Sequence, residues 1–264
     1  MRAADDGGSR DLFDITGRLA LVTGSSRGLG RTLAVGLAQA GARVVLHGRD
    51  RAALAAARAE IEAVAGSPAP APLVFDVTDQ PAVAAGITGL VGEHGVPDVL
   101  VNNAGIQRRA PITELAPADW DAVVATNLSS AFYIAQQVAR GMAERGSGKI
   151  INIGSVQSML ARETIAPYAA AKGGLVMLTK GMAADLARHN VQVNAISPGY
   201  FATEMNQALV ADEAFSSWVV GRTPARRWGR VEELVGTLLY LASDASSFVS
   251  GQNIFVDGGM TSVV

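Results

Sequence analysis

LALVTGSSRGLGRTLAVGLAQAGARVVLHG, residues 19–48, decides the fold. An apolar run, LALVTG, is followed by a glycine-rich turn. RTLAVGLAQAGA then carries helical periodicity as far as Gly41, and ARVVLHG is a second apolar run. Strand, turn, helix, strand is a βαβ unit, which places two parallel strands in one sheet with the helix across a face. The same rhythm continues outward. RAALAAARAEIEAVAG (51–66) reads as an alanine-rich helix stopped by SPAPAP, APLVFDVT (71–78) as the third strand, and PAVAAGITGLVGEHG (81–95) as the next helix. VPDVLVNNAG (96–105) is the fourth strand, residues 119–145 one long helix, GKIINIGS (148–155) the fifth strand, and a helix from the Tyr168 region runs to about His189. VQVNAISPG (191–199) and QNIFVDGG (252–259) complete seven strands. The fold class is therefore α/β: a doubly wound, seven-stranded parallel sheet flanked by helices, in a single domain over 17–264. Residues 1–16 read as a polar tail without a signal-peptide core, and the segment 200–228, which breaks the rhythm beyond a strand's carboxyl end, is placed to cover a substrate.

Bulk composition narrows the function. The 264 residues are 49% hydrophobic, enough for a sizeable core, and the net charge of −2 gives no reason to expect nucleic acid as partner. No apolar stretch approaches the roughly 18 residues of a membrane span. Cysteine is absent, which removes disulfides and thiolate chemistry and suits a reducing cytoplasm. His47, His94 and His189 are too scattered for a metal cluster, so no metal is expected. A small molecule is the expected partner.

Two groups of residues carry the chemistry. In TGSSRGLG, Gly24, Gly28 and Gly30 let the backbone turn tightly at a helix N-terminus, where a pyrophosphate is favoured. The small residues of NNAG, Asn102 to Gly105, would let backbone meet the same ligand. Where an acidic residue would hold a free ribose 2′-hydroxyl stand Gly48 and Arg49. Arg49 and Arg27 suit a 2′-phosphate instead, so NADP(H) is expected over NAD(H). Asp76, in FDVT, would accept from the adenine amino group or cap a helix. At the other end, Tyr168 and Lys172 in YAAAKGG are one helical turn apart, about 6 Å at Cβ, with Ser155 upstream in IINIGSV. A nearby ammonium favours the phenolate, so the pair reads as an acid/base device.

In that order these pieces resemble the short-chain dehydrogenase/reductase family, in its classical subgroup, from Gly17 to the C-terminus. The resemblance implies a Rossmann-type fold, a homotetramer, and an Asn127–Ser155–Tyr168–Lys172 tetrad. In it Tyr168 exchanges the proton, Ser155 orients the substrate oxygen, Lys172 lowers the tyrosine pKa and holds the nicotinamide ribose, and Asn127 anchors a relay water. It further implies cofactor contacts at Ser26, Leu29, Val77, Asn103, Ala104, Gly105, Pro198, Gly199, Phe201 and Thr203. Within the family, NNAGIQRRAP, residues 161–180 and TPARRWG are most similar to the gluconate 5-dehydrogenases, also called 5-keto-D-gluconate 5-reductases. That likeness implies that Arg109, Ser155, Arg162 and Glu163 meet the substrate, with Arg108 nearby, an arginine holding a sugar-acid carboxylate. The alternative is a set of loop or subunit-interface ion pairs. Rival functions are a 3-oxoacyl-carrier-protein reductase or other polyol or ketone reductase and, from another class, a non-catalytic NADP(H)-binding sensor.

Overall fold

The computed structural model describes residues 11–66, 69–203 and 206–264. Seven strands form one parallel sheet: β1 (Leu19–Val22), β2 (Arg43–Gly48), β3 (Leu73–Val74), β4 (Val99–Asn102), β5 (Gly148–Ile153), β6 (Val191–Pro198) and β7 (Asn253–Val256). Their spatial order is β3-β2-β1-β4-β5-β6-β7. The chain winds outward from β1 to β3, returns beside β1 as β4, and winds out the other way. The β1/β4 junction is thus the switch point, where a crevice opens at the carboxyl ends of the strands.

Helices close both faces because the strands are apolar on both sides. α1 (Gly28–Gln39) and α2 (Arg51–Ala65) cover one face, together with α9 (Val235–Ala242), burying Leu33, Leu37, Leu54, Ile61, Leu238 and Leu241. α3 (Gln80–His94) and α5 (Ser130–Arg145) lie on the other, over Leu21, Leu100 and Ile150. Local signals set the ends. The Asp50 carboxylate accepts from the Ala52 and Ala53 amides at the start of α2, and Gly66, at φ 64°, ends it. Asp79 caps α3 by accepting from the Ala82 amide. Asp76, for which the sequence left an adenine acceptor and a helix cap both open, therefore does not cap α3.

Two expectations shift. The long helix over 119–145 is α4 (Pro117–Val124) and α5 joined through a π turn at Ala125–Ser129, an extra residue that turns Asn127 inward. Residues 11–16, which the sequence places in the tail, pack on the domain: Ile15 is 1% exposed in the core, and the Leu12 carbonyl accepts from the Ala245 amide. The rest of that tail, 1–10, lies outside the described residues. α6 (Ala166–Leu186) ends in a 3-10 turn at Ala187–His189, where the sequence reading ends it. Beyond β6 the segment 200–228 holds α7 (Gln207–Ala211) and α8 (Glu213–Arg222). No helix among the described residues is long and apolar enough to cross a membrane.

Candidate active site

The turn after β1 is built jointly with the end of β4. Gly24 and Gly28 take φ of 63° and 55°, the left-handed region that costs other residues strain. The Asn103 amide donates to the Thr23 and Gly24 carbonyls at 2.9 and 3.1 Å, while the Asn103 and Ala104 N–H groups donate to Thr23 Oγ1. A Cβ on Gly30 would lie 2.3 Å from both Asn103 Nδ2 and the Gly24 carbonyl oxygen. NNAG thus does more than end a strand, because its Asn103 fixes the turn. Arg27, the extended residue that precedes α1, makes no side-chain bond to the helix's first amides, and a Cβ on Gly28 would meet nothing within 4 Å. Free amides at a helix N-terminus, facing open space, fit a pyrophosphate-bridged dinucleotide.

Ser26 lies against Gly48, and Leu29 packs partly into the core. Arg49 is exposed, and its Nη1 donates to Asp76 Oδ2 at 3.0 Å. The Thr78 amide and hydroxyl also donate to Asp76, and the amide bond is the first cause of a carboxyl held below its ordinary value. Asp76 therefore steers the arginine. Val77 and Phe201 turn their side chains into the core, which leaves only their backbone for a ligand. Gly199 packs on Asp257, where a Cβ would lie 2.8 Å from Cα. Thr203 and Gly28 share the walls of a cleft of about 530 Å³.

At the end of β5, the Ser155 amide donates to Ser197 Oγ at 3.2 Å, and Ser197 Oγ donates to Asn253 Oδ1 at 2.5 Å. Ser155 Oγ accepts from the Gln157 amide at 3.1 Å, and the Ser155 side chain lies beside the Tyr168 phenol. Lys172, 4% exposed, donates to the Ile153 carbonyl at 2.6 Å with its Nζ 5.6 Å from the Tyr168 ring centroid. Burial pushes the ammonium down to about 8. It also pushes the Tyr168 phenol up, against the neighbouring Ser155 side chain and the Arg109 charge. The expected downward shift of the tyrosine is thus reversed here. Burial outweighs the charges. Asn127, on the π turn, accepts from the Ile106 amide at 2.7 Å and donates to the Ile106 carbonyl at 2.8 Å, so its amide ties the helix to the loop after β4.

That loop and the one before α6 meet. Thr164, a β-branched residue at φ 66°, accepts through its carbonyl from the Ala110 amide. The joined loops bring Arg109 near Arg162, Arg109 facing Tyr168 and Arg162 facing Tyr200. Burial lowers the Arg109 pKa and the Arg162 charge lowers it further, while Tyr200 and Tyr168 oppose them. Arg108 instead pairs with Asp119 at 3.3 Å, and the Glu163 side chain is exposed. The sequence-derived group therefore divides: Arg109 faces Tyr168, Arg162 lies beside it facing Tyr200, Arg108 pairs elsewhere and Glu163 is exposed.

Sequence reasoning missed Tyr200 and Gln157. The Tyr200 hydroxyl faces the Arg162 charge and accepts from Gln157 Nε2 at 3.4 Å, and its ring stands 5.7–5.8 Å from those of Phe215, Trp218 and Trp228. Arg162 lies over the Phe215 ring at 5.4 Å. The signal available was the density of aromatics in 200–228, the segment already assigned to cover the site. A half-buried phenol on a helix, a serine side chain beside it and a neighbouring pair of guanidiniums can exchange a proton with an oxygen of an anionic substrate.

The chain is similar to known proteins. A family model described as enoyl-(acyl carrier protein) reductase matches residues 24–261. The gluconate 5-dehydrogenase of Gluconobacter oxydans is 56% identical over 251 residues, 95% of this chain and 97% of that protein. The 5-keto-D-gluconate 5-reductase of Escherichia coli K12 is 49% identical over 252 residues, 95% and 98% of the two chains. Among solved structures, a gluconate 5-dehydrogenase from Burkholderia cenocepacia in complex with NADP and tartrate superposes with a TM-score of 0.93 at 55% identity, covering 96% of this chain and 99% of that one.

Proposed function

The chain belongs to the short-chain dehydrogenase/reductase family, and on that premise we propose that it is an NADP(H)-dependent oxidoreductase interconverting D-gluconate and 5-keto-D-gluconate. The observation that carries the substrate is the pairing of Arg109 with Arg162, Arg109 facing Tyr168, a fit for a sugar-acid carboxylate near a proton-exchanging phenol. The Gluconobacter and Escherichia relatives support the same pair, and the Burkholderia complex supports the cofactor.

The residues then take these parts. The turn from Gly24 to Gly30, with Asn103 to Gly105, Lys172 and the backbone of 198–203, holds the dinucleotide, and Arg27 and Arg49 meet its 2′-phosphate. When bound, the cofactor supplies a hydride to the ketone carbon or accepts one from the carbinol. Tyr168, whose pKa burial raises, stays a phenol near neutral pH and is prepared to donate its proton to the ketone oxygen. Ser155 orients that oxygen. Lys172 keeps most of its charge at pH 7 with a pKa of about 8, which stabilises the phenolate left behind. Asn127 holds the loop after β4 and, in this reading, a relay water. Tyr200 and the aromatics of 200–228 exclude solvent over the reacting carbon. The family resemblance and the absence of cysteine support a cytoplasmic homotetramer, whose contacts would cover exposed Phe132, Met177 and Phe248.

The test follows nicotinamide absorbance with 5-keto-D-gluconate and NADPH, beside a pantetheine-linked 3-oxo ester. Turnover of the sugar acid in preference is the expected result. Turnover of the thioester alone would assign the chain to acyl-carrier chemistry, and cofactor binding without turnover of either would favour a sensor.

A further inference from the structure

His47 has no part in proton exchange, yet it is buried beneath the cofactor turn at the penultimate position of β2. Its Nδ1 accepts from the Gly24 amide at 3.2 Å, and its Nε2 lies 3.2 Å from the Phe75 carbonyl oxygen. An acceptor role for Nδ1 and a carbonyl facing Nε2 together specify the neutral tautomer protonated at Nε2. The imidazole also packs on the Phe75 ring, with centroids 4.3 Å apart. The backbone repeats the link, since the His47 carbonyl accepts from the Ser25 amide and its own amide donates to Ser25 Oγ at 2.9 Å.

Gly24 is the residue at which the turn leaves β1, and Phe75 immediately precedes Asp76, the partner of Arg49. We infer that His47 is the positioning residue of the cofactor turn: the Nε2–H tautomer holds the Gly24 amide so that the turn keeps its pyrophosphate-binding shape before the ligand arrives. The inference rests on the proposed dinucleotide binding and deepens it. A hydrogen bond that presets a turn removes reorganisation from the binding step, so its loss falls on coenzyme affinity and not on the chemical step.

Charged groups around the ring are few. Asp76, beyond β3, favours the imidazolium and Arg49, beyond β2, opposes it, while burial is the largest influence and pushes the ring down to about 4. The imidazole therefore remains neutral through the neutral range, and the bond from Gly24 persists there.

Two conservative variants separate the two nitrogens. In His47→Asn the amide oxygen takes the place of Nδ1 and keeps the acceptor for Gly24. In His47→Gln the amide nitrogen reaches the place of Nε2 and keeps the donor to Phe75 but loses that acceptor. Dissociation constants for NADPH and NADH are read by fluorescence titration, with kcat at saturating coenzyme and thermal melting alongside. The expected result is affinity within about 3-fold of the parent for the Asn variant and a loss of at least about 10-fold for the Gln variant, shared equally by both coenzymes, with kcat within about 3-fold. Equal affinities in the two variants, or a loss confined to NADPH, would overturn the inference. A parent protein that binds neither coenzyme would overturn the proposed function itself, which keeps the two failures apart. Should a variant not fold, nitrogen-15 shifts of the parent's imidazole decide: protonation at Nε2 is expected, and protonation at Nδ1 refutes the scheme.

Discussion

Removing the neighbouring guanidiniums of Arg109 and Arg162 offers a quantitative test of substrate recognition. Arg109 and Arg162 are close enough that the charge on one lowers the pKa of the other, a repulsion that an incoming carboxylate offsets. A hydrogen bond to a charged group contributes about 1.5–3 kcal/mol, so two give roughly 3–6 kcal/mol, or about 10²–10⁴-fold in kcat/KM. Single deletions should fall well short of half that range. With its like-charged neighbour gone, the remaining guanidinium can take both carboxylate oxygens in a fork, which cushions the first loss. Arg162→Ala also forfeits the contact over Phe215, about 0.5–1 kcal/mol, and should loosen the aromatic cover slightly more than Arg109→Ala does. The expected pattern in kcat/KM for 5-keto-D-gluconate is about 10-fold for each single variant and at least about 10³-fold for the double. An uncharged polyhydroxy ketone of similar size, assayed with the same proteins, should change by no more than about 3-fold. Equal losses on the charged and uncharged substrates would refute carboxylate recognition. So would a double variant that retains most of the parent's kcat/KM for the sugar acid.

Further outcomes follow from other parts of the site. Gly30→Ala places a methyl group 2.3 Å from the Gly24 carbonyl and the Asn103 amide, so overpacking of about 1–3 kcal/mol should lower Tm by roughly 2–12 °C in a thermal melt and weaken coenzyme binding further. Arg49→Ala removes a cation and leaves Asp76 unpaired, so the NADPH dissociation constant should rise by about 10-fold or more while that for NADH holds or improves; an unchanged ratio would move 2′-phosphate recognition elsewhere. Because burial raises the Tyr168 pKa, the phenolate needed to accept a proton becomes commoner with rising pH. Gluconate oxidation should therefore accelerate by up to about 10-fold per pH unit below that pKa, whereas ketone reduction, which uses the phenol, should stay nearly flat from about pH 6 to 8 in a stopped assay. Oxidation indifferent to pH would contradict the assignment.

What the sequence made legible was local. The turn, NNAG, and the Tyr168 and Lys172 spacing each lie within a few residues, and the short apolar strands were set off by glycine and helix signals. Less visible was whatever depends on segments far apart in the chain. The pairing of Arg49 with Asp76 joins β2 to β3, so the choice between adenine acceptor and helix cap for Asp76 could not be made from FDVT alone; Asp79 takes the cap. Arg108 and Arg109 are adjacent in sequence but diverge, one to Asp119 and one toward Tyr168, because the loop's path is set by the Thr164–Ala110 bond. Tyr200 reaches the site only because β6 ends beside β5. The sign of the tyrosine shift was likewise hidden, since helical spacing shows a neighbouring ammonium but not the depth of burial that outweighs it.

The most direct measurement is NADPH oxidation with 5-keto-D-gluconate by the parent protein and by Tyr168→Phe, with coenzyme affinity titrated on both. The parent should turn over, and the variant should lose at least about 10²-fold in kcat while binding NADPH within about 3-fold of the parent. A Phe variant as active as the parent would contradict Tyr168 as the proton donor.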